Sequence, residues 1–392
     1  VLWPNYRGWL DMEEEPQVEL AVQVDTRDLD LSYDDLKLHL RVVDGSDKVW
    51  AVRTLDPVGL ETRLRIALPP ELPEGQYTIS VRLAEEKTGR VIATDEHRLL
   101  RRPADAPWPH AYIDRHNRLI VDGEPFFPLG LYSNTGLMDD ETLRLYSDSP
   151  FNCMMPYGTA SREQMDLAHK YGIKVIYSIK DSYAGTTWCP KEIDSPEKER
   201  PWIEGVVGRF KDHPALLAWY LNDELPLTLL DRLTAHQRWV EELDPNHPTW
   251  VVLYQVREVR QYMPTFDVVG TDPYPIPAHP SRAGDWTKMT VEGVYNARPV
   301  WMVPQIFNWN CYRKDGDGRT PTFDEMRSMA WQCICEGAKG LVFYSFYDIR
   351  RDPETPFETQ WDRVKRMAAE IREWTPAILS VERAAPVEAR GS

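Results

Sequence analysis

Short apolar segments alternate with amphipathic helical stretches from Phe126 onwards, and this alternation constrains the fold more than any other feature. Strands that alternate with helices predict a parallel sheet. The predicted strands are Phe127–Tyr132, Phe151–Pro156, Lys174–Ile179, Leu216–Leu221, Thr249–Tyr254, Val268–Thr271, Val300–Pro304 and Leu341–Ser345. Eight strand–helix units in about 250 residues fit a closed (β/α)8 TIM barrel, which we expect over residues 126–392.

The stretches between these strands have helical periodicity. The clearest predicted helices are Arg162–Tyr171, Pro201–Phe210, Leu227–Leu243, Phe323–Gly337 and Trp361–Trp374. An open, doubly wound α/β sheet is the alternative arrangement, but no glycine-rich phosphate-binding turn follows the first strand. The closed barrel is therefore the favoured α/β architecture.

The first 105 residues have the pattern of an all-β domain. Alternation of apolar and polar residues predicts strands at Val18–Asp25, Leu36–Val43, Gly75–Leu83 and Arg90–Leu100. Short strands at this spacing predict an immunoglobulin-like β-sandwich over residues 1–105, with a structural or carbohydrate-contacting accessory role. Residues 106–125 are expected to form a proline-rich linker and a hairpin that caps the bottom of the barrel.

Charge and composition exclude several classes of partner. The chain has 46 Lys and Arg against 62 Asp and Glu, a net charge of −16, which argues against nucleic acid and anionic membranes. The sequence has no run of 18 apolar residues, so no transmembrane helix is predicted. The five cysteines lack a zinc-type spacing and are odd in number, so neither a metal nor a full disulfide framework is expected. The compartment stays open, although a secreted or periplasmic protein whose leader was removed would fit the first residues.

The stretch Leu216–Pro226 joins an apolar strand to a polar cluster. The strand ends in Asn222, Asp223 and Glu224, and Pro226 prevents its continuation because proline has no N–H for the sheet. Three polar groups at the end of a buried strand are costly for folding. The carboxyl ends of barrel strands are also where such folds carry their active sites. We therefore expect Glu224 to be the general acid of a sugar-cleaving enzyme.

Other strand ends and loops should add side chains to the same mouth. Carboxylates and amides hydrogen-bond sugar hydroxyls, and aromatic rings pack on the apolar faces of sugars. The predicted substrate-binding residues are Asn222, Asp223, Tyr132, Tyr157, Asp181, Trp188, Tyr274, Trp309, Tyr347 and Asp348. For the two loop tryptophans, sugar stacking and simple packing are both open. These carboxylates, amides and rings make a carbohydrate the expected partner. No metal-binding spacing and no G-x-S-x-G elbow is present, and no cofactor is predicted.

Purely structural roles compete with these assignments. Glu224 could pair with an arginine at the barrel rim, and Asp272 precedes a proline and could shape a turn. Asp181 follows a lysine, which could be its partner. Asp348 lies close to two arginines, and a surface ion pair is the simpler interpretation for it.

The segment His213–Glu224 resembles the fourth-strand motif of the clan-A glycoside hydrolases, which include β-galactosidases and cellulases. In that group the acid/base glutamate ends strand four, usually after an asparagine, whose place is taken here by Asp223. Three further stretches are similar to the first, sixth and eighth strands of such barrels: Gly123–Gly130, Gly270–Pro275 and Gly337–Ser345. The resemblance covers residues 115–375. It implies an enzyme that cleaves O-glycosidic bonds of an oligo- or polysaccharide, with Glu224 as acid.

One departure from the family pattern lies at the end of strand seven. The clan has its nucleophilic glutamate there, whereas this sequence has Gln305, whose amide carries no charge with which to form a glycosyl ester. Another carboxylate could serve, for example as the base of an inverting reaction. Alternatively, Gln305 replaces a natural glutamate, or the barrel only binds sugars.

If Gln305 is natural, we expect Asp272 to activate water across the mouth. The amide of Gln305 would then hold that water or a sugar hydroxyl. A polysaccharide lyase is a further alternative, although the mouth tyrosines have no clear basic partner in the sequence.

Overall fold

The computed structural model of the 392-residue chain describes residues 1–11, 15–27, 29–56, 58–313 and 316–382. The chain divides into two compact units, Val1–Trp108 and Pro109–Ser392. The predicted division at residues 105 and 125 stays a prediction, and the predicted hairpin belongs to the second unit.

The first unit is a β-sandwich. Its strands are β1 (Trp9–Leu10), β2 (Gln17–Gln23), β3 (Leu36–Asp44), β4 (Val49–Leu55), β5 (Glu61–Ala67), β6 (Gly75–Glu85) and β7 (Val91–Arg101). One sheet has the order β1-β7-β6-β3-β4, and the second pairs β2 with β5. Inward-facing side chains such as Leu20, Leu40 and Ile79 form the core. The predicted immunoglobulin-like sandwich is thus confirmed. β4 and β5 were not predicted. Every side chain of β4 is exposed or half-buried, and in β5 only Leu64 and Ile66 are buried, so the apolar signal of each strand is weak in the sequence.

A small antiparallel sheet opens the second unit. It consists of β8 (Ala111–Ile113), β9 (Leu119–Val121) and β10 (Glu124–Phe126), in the order β10-β9-β8. The N–H of Ala111 donates to the carbonyl oxygen of Asn246 at 2.9 Å, just before a barrel strand begins. The guanidinium of Arg118 donates to the carbonyl oxygen of Leu379 at 3.0 Å. The sheet therefore lies at the end of the barrel opposite the strand ends that carry the predicted site.

The barrel itself contains all eight predicted strands. They are β11 (Leu129–Ser133), β12 (Cys153–Pro156), β13 (Lys174–Ser178), β14 (Leu216–Asp223), β15 (Thr249–Leu253), β16 (Val268–Thr271), β17 (Trp301–Met302) and β18 (Gly340–Phe343). They are parallel, in the order β16-β15-β14-β13-β12-β11-β18-β17. The sheet closes where Val303 N–H donates to Thr271 O at 3.0 Å and Val269 N–H to Pro299 O at 3.2 Å. The predicted (β/α)8 barrel is confirmed.

β17 is shorter than predicted. It has only two residues, because Pro299 and Pro304 on either side have no N–H to donate to a neighbouring strand. The β16–β17 seam is consequently poor in backbone hydrogen bonds at the level of the barrel mouth.

The helices surround the barrel. They are α1 (Asp140–Ser147), α2 (Arg162–Lys170), α3 (Glu199–Phe210), α4 (Leu230–Leu243), α5 (Arg282–Gly293), α6 (Phe323–Cys335), α7 (Phe346–Ile349) and α8 (Phe357–Ile378). The first turns of α2 and α6 are fixed by capping boxes that start at Ser161 and Thr322. None of the described helices combines the length and the apolar character that a membrane span requires.

Aromatic side chains fill the interior of the barrel. The ring of Tyr132 lies 6.1 Å from that of Tyr220 and 5.9 Å from that of Trp250, and Trp301 lies 6.0 Å from Trp250. All four are buried. They form a packed floor beneath the mouth, and Gly270 on β16 leaves room for the backbone of Trp301 beside it.

Replacing Gly270 by alanine should destabilise the barrel. A Cβ atom there would lie 2.2 Å from the carbonyl oxygen of Trp301, so the β16–β17 seam would have to open. We expect a loss of at least about 2 kcal/mol in the free energy of unfolding. Gly205 is the matched control, since it is exposed within α3 with open space around it, and alanine there should stabilise by about 0.5–1 kcal/mol. Equal urea midpoints for the two variants would contradict this packing account.

Candidate active site

The backbone at the end of β14 fixes Glu224 at the mouth. Glu224 has φ of 59°, in the left-handed region that costs energy for a residue with a side chain. Its N–H donates to Val252 O at 2.9 Å, and its carbonyl oxygen accepts from the side chain of Gln255 at 3.1 Å. The side-chain oxygen of Asn222 accepts from Leu225 N–H at 2.9 Å. These bonds hold the turn so that the side chain of Glu224 is exposed.

Asp272 follows β16 and is only 7% exposed. Its carboxyl group lies beside that of Glu224, close enough for the two to interact through a shared proton. Burial, followed by this interaction and the negative charge of Glu224, raises the pKa of Asp272 well above its usual range. Two carboxyl groups can hydrogen-bond to each other only when they share a proton. A raised pKa favours the protonated form of Asp272, whereas the predicted role of a base requires the ionised form, so that role stays a prediction.

Among the buried polar atoms that have no hydrogen-bond partner within the described part of the chain are Oδ1 of Asp272 and Nδ2 of Asn222. Buried polar groups are normally hydrogen-bonded, and those that are not call for an explanation. One is an acceptor and the other a donor, which is what a hydroxyl-bearing ligand can satisfy.

Asp223 receives donors from the other side of the mouth. The hydroxyl of Tyr220 donates to Oδ1 of Asp223 at 2.7 Å, and the hydroxyl of Tyr157 donates to Oδ2. Nζ of Lys180 lies 3.8 Å from the same Oδ2, 2.8 Å from Asp181 and 4.1 Å above the ring of Tyr157. Asp181 thus pairs with Lys180, as the structural alternative to substrate binding predicted. Burial raises the pKa of Asp181.

Tyrosine rings form the wall between these carboxylates. Tyr132 donates its hydroxyl to that of Tyr220 at 3.1 Å. The ring of Tyr344 lies 5.2 Å from Tyr132, 5.5 Å from Tyr274 and 6.3 Å from Tyr157. Burial raises the pKa of Tyr344 to about 12 and that of Tyr132 and Tyr274 well above the usual range, so these phenols are neutral at physiological pH.

Asp348 is buried and does not form the predicted surface ion pair. Its carboxylate accepts from Ser345 Oγ at 2.5 Å, from the hydroxyl of Tyr312 at 2.8 Å and from Arg351 at 2.7 Å. The hydroxyls of Tyr312 and Tyr344 are 3.0 Å apart. Asp348 therefore holds the hydroxyl of Tyr312, which in turn contacts Tyr344 in the wall of the mouth. This buried position differs from the predicted direct contact of Asp348 with substrate.

Gln305 does not face the mouth. Its side chain is fully buried, its oxygen accepts from Ile276 N–H at 2.8 Å, and its nitrogen donates to the carbonyl oxygens of Phe307 at 2.9 Å and Ile276 at 3.2 Å. The backbone uses the whole amide, so the predicted role of holding water or a sugar hydroxyl is wrong. A carboxylate at this position could not donate to either carbonyl.

The outer predicted residues are more scattered. Trp309 packs at 5.0 Å from the ring of Phe307 and donates to the carbonyl oxygen of Tyr274 at 3.4 Å, at the edge of the mouth. Tyr347 is 40% exposed beneath the guanidinium of Arg351. Trp188 is 77% exposed and, in the described residues, makes no ring contact or hydrogen bond with the mouth.

Sequence reasoning missed four residues that organise the site. They are Lys180, Tyr220, Tyr312 and Tyr344. A lysine directly after a buried strand was the available signal for Lys180. Tyr344 was counted as part of the last strand, which in fact ends at Phe343.

Among the residues that the structure describes, no group of three or more His, Cys, Asp or Glu side chains is arranged to hold a metal ion. The five cysteines are free thiols. The side chains described at the mouth carry carboxyl groups, phenols and the ammonium group of Lys180.

The fold and the site together define a (β/α)8-barrel protein with a carboxyl pair in a tyrosine-lined mouth. No protein-family model matches the sequence, and the comparison with curated proteins found no match.

Solved structures of β-glucuronidases are similar to the chain at low identity. The enzyme from Parabacteroides merdae is 13% identical with a TM-score of 0.45, over 84% of this chain and 45% of that one. The Ruminococcus gnavus enzyme in complex with N1-substituted uronic isofagomine is 13% identical with a TM-score of 0.47, over 84% of this chain and 62% of that one. The enzyme from an uncultured Clostridium species is 13% identical with a TM-score of 0.48, over 87% of this chain and 63% of that one. The chain spans less than two thirds of the length of each of these structures.

The raised pKa of Asp272 predicts an unusual pH dependence of stability. A group whose pKa is raised by folding stabilises the folded state at low pH, and this contribution is lost as the pH rises through the folded pKa. Asp272→Asn should therefore raise the thermal midpoint at neutral pH and flatten its fall above about pH 4.

Asp348→Asn is the matched control, because Asp348 is also buried but accepts from Arg351. Its loss should lower stability by about 1–2 kcal/mol, a figure reduced because Arg351 is partly exposed. Thermal unfolding across pH compares the two variants with the wild type. Equal destabilisation by both substitutions would contradict a protonated Asp272.

Proposed function

We propose that the barrel mouth hydrolyses glycosidic bonds, with the carboxyl pair of Glu224 and Asp272 supplying the proton to the departing oxygen. The observation that carries this proposal is the position of the exposed carboxyl of Glu224 beside the buried carboxyl of Asp272, whose pKa burial and this neighbour raise. A carboxyl group kept protonated at neutral pH is what general acid catalysis needs.

Asp223 is the base in this proposal. It is adjacent to Glu224 in sequence, yet the two side chains have partners on opposite sides of β14. Asp223 is bonded to Tyr157 and lies close to Lys180, after β12 and β13, whereas Glu224 contacts Asp272, after β16. A sugar held between them has an acid on one side and the proposed base on the other, as an inverting hydrolysis requires.

The proposed reaction proceeds in one displacement. The pair donates its proton to the glycosidic oxygen as the bond to the anomeric carbon breaks. Water attacks that carbon and gives a proton to Asp223, so two free hydroxyl-bearing sugars leave. Asp223 then releases this proton and the pair regains one through the exposed carboxyl of Glu224. No glycosyl ester forms, which fits an amide at residue 305.

The walls of the mouth suit a sugar. The rings of Tyr157, Tyr274, Tyr344 and Trp309 offer apolar faces, and the indole N–H of Trp309 donates to the carbonyl oxygen of Tyr274. The unpartnered oxygen of Asp272 can accept a hydroxyl donor. A carbohydrate satisfies both kinds of surface at once.

Removing either member of the pair should abolish turnover. We expect Glu224→Gln and Asp272→Asn each to lower the rate at least about 100-fold while folding is kept, because each removes the shared proton. Glu358→Gln is the matched control, since Glu358 is an exposed carboxylate on α8. A panel of nitrophenyl glycosides that includes neutral hexosides and glucuronides provides the assay.

The pH profile adds a second criterion. The wild-type rate should fall as the pH rises through the raised pKa of Asp272. In Glu224→Gln the residual rate should fall at lower pH, since the charge that raises this pKa is gone. Wild-type turnover in Glu224→Gln would refute the assignment.

A non-catalytic carbohydrate-binding barrel is the second candidate function. It is favoured by the buried amide at residue 305, which leaves the seventh strand without the carboxylate that the resembling hydrolases carry. A glycan array combined with the hydrolysis assay separates the two functions. Tight binding of a glycan that is never cleaved, by wild type and Asp272→Asn alike, would favour the binding barrel.

Changing Gln305 to glutamate should not create or improve activity. The new carboxylate would face the carbonyl oxygens of Ile276 and Phe307 in a fully buried position, so we expect a lower thermal midpoint and an unchanged or lower rate. Steady-state kinetics with the cleaved glycoside are the measurement. A rise in turnover by orders of magnitude, with Asp272→Asn mild, would instead identify residue 305 as the nucleophile position of a retaining enzyme.

A further inference from the structure

We propose that Gln305 is a positioning residue, which holds Asp272 against Glu224 by clamping the loop of residues 272–277 to the seventh strand. The side chain of Gln305 makes three hydrogen bonds, two of them to the N–H and C=O of Ile276. This role concerns the geometry of the carboxyl pair, and only its catalytic consequence depends on the proposed function.

The loop has few hydrogen-bond donors of its own. Its sequence is Asp-Pro-Tyr-Pro-Ile-Pro, and the three prolines have no N–H. A segment of this kind cannot extend the parallel ladder of β16. The N–H of Ile276 is one of the remaining donors, and Gln305 accepts it at 2.8 Å.

The clamp lies where the barrel closes. The backbone hydrogen bonds of the β16–β17 seam join Val269 to Pro299 and Val303 to Thr271, below the mouth. Above them, the amide of Gln305 bridges the loop after β16 to the segment after β17. It replaces backbone pairing that the flanking prolines rule out.

Gln305 is itself anchored to the next strand. Its backbone forms a parallel bridge with Tyr344. The N–H of Ile306 donates to Tyr344 O at 2.9 Å, and the N–H of Tyr344 donates to Pro304 O at 3.1 Å. The clamp therefore connects the Asp272 loop to a fixed point of the barrel wall.

Fixing this loop matters because Asp272 is held in an unfavourable place. Its carboxyl is buried and faces the acidic groups of Glu224 and Asp223, with the phenols of Tyr132 and Tyr274 close by. Without the clamp, the loop could turn the carboxyl towards water and away from Glu224. The shared proton would then be lost to solvent at neutral pH.

Infrared spectroscopy of the full chain tests this inference without a substrate. At neutral pH the carbonyl band of a protonated carboxyl should be present in the wild type and absent in Asp272→Asn, which assigns the band. In Gln305→Met, which has similar volume but no amide, the band should lose most of its intensity and Asp272 should titrate at lower pH.

Gln360→Met is the matched control. Gln360 is also a fully buried amide; it donates to the carbonyl oxygens of Ile306, next to Gln305, and Pro321, and makes no hydrogen bond to the Asp272 loop in the described residues. Its replacement should lower the thermal midpoint and leave the carboxyl band intact. If Gln305→Met fails to fold, Gln305→Asn serves in its place, because its shorter amide cannot span Ile276 and Phe307 together.

Three results would overturn the clamp. The first is a folded Gln305→Met protein whose carboxyl band is unchanged, and the second is an equal loss of the band in Gln360→Met. The third is absence of the band from the wild type. An intact clamp with no turnover of any glycoside would count against the hydrolase alone. If turnover exists, Gln305→Met should lower kcat more than it raises KM and shift the basic limb of the pH profile.

Discussion

The pairing of the buried carboxyl group of Asp272 with that of Glu224 is the constraint on which the site depends. Bringing two acids together favours a proton on one of them at a pH where both would ordinarily be ionised. The fold provides for this by burying Asp272 and by exposing Glu224 on a left-handed turn. A strained backbone and a buried acid both cost stability, and their coincidence at one barrel mouth is typical of a functional site.

Basic side chains and one amide hold the other groups around the pair in place. Lys180 lies between Asp181 and Asp223, and Arg351 compensates the buried Asp348. Gln305 fastens the loop that carries Asp272. The amide of Gln305 is taken up by the backbone of Ile276 and Phe307, which gives this side chain a structural role.

Much of the fold could be predicted from the sequence, because the alternation of apolar strands and amphipathic helices is a local signal. Glu224 and Asp272 could be named because strand ends meet at one mouth. The burial of Asp348 and Gln305 could not, since their partners Tyr312 and Ile276 come from loops with no fixed relation in sequence. The position of the shared proton depends on desolvation by the folded chain, which no motif encodes.

The anomeric configuration of the first sugar released tests the central claim most directly. Hydrolysis of a cleaved glycoside can be followed by proton NMR at early times, before the anomers interconvert. A single displacement by water between Asp223 and the Glu224–Asp272 pair predicts the inverted anomer. Release of the retained anomer, or a glycosyl ester trapped on the protein, would contradict the account.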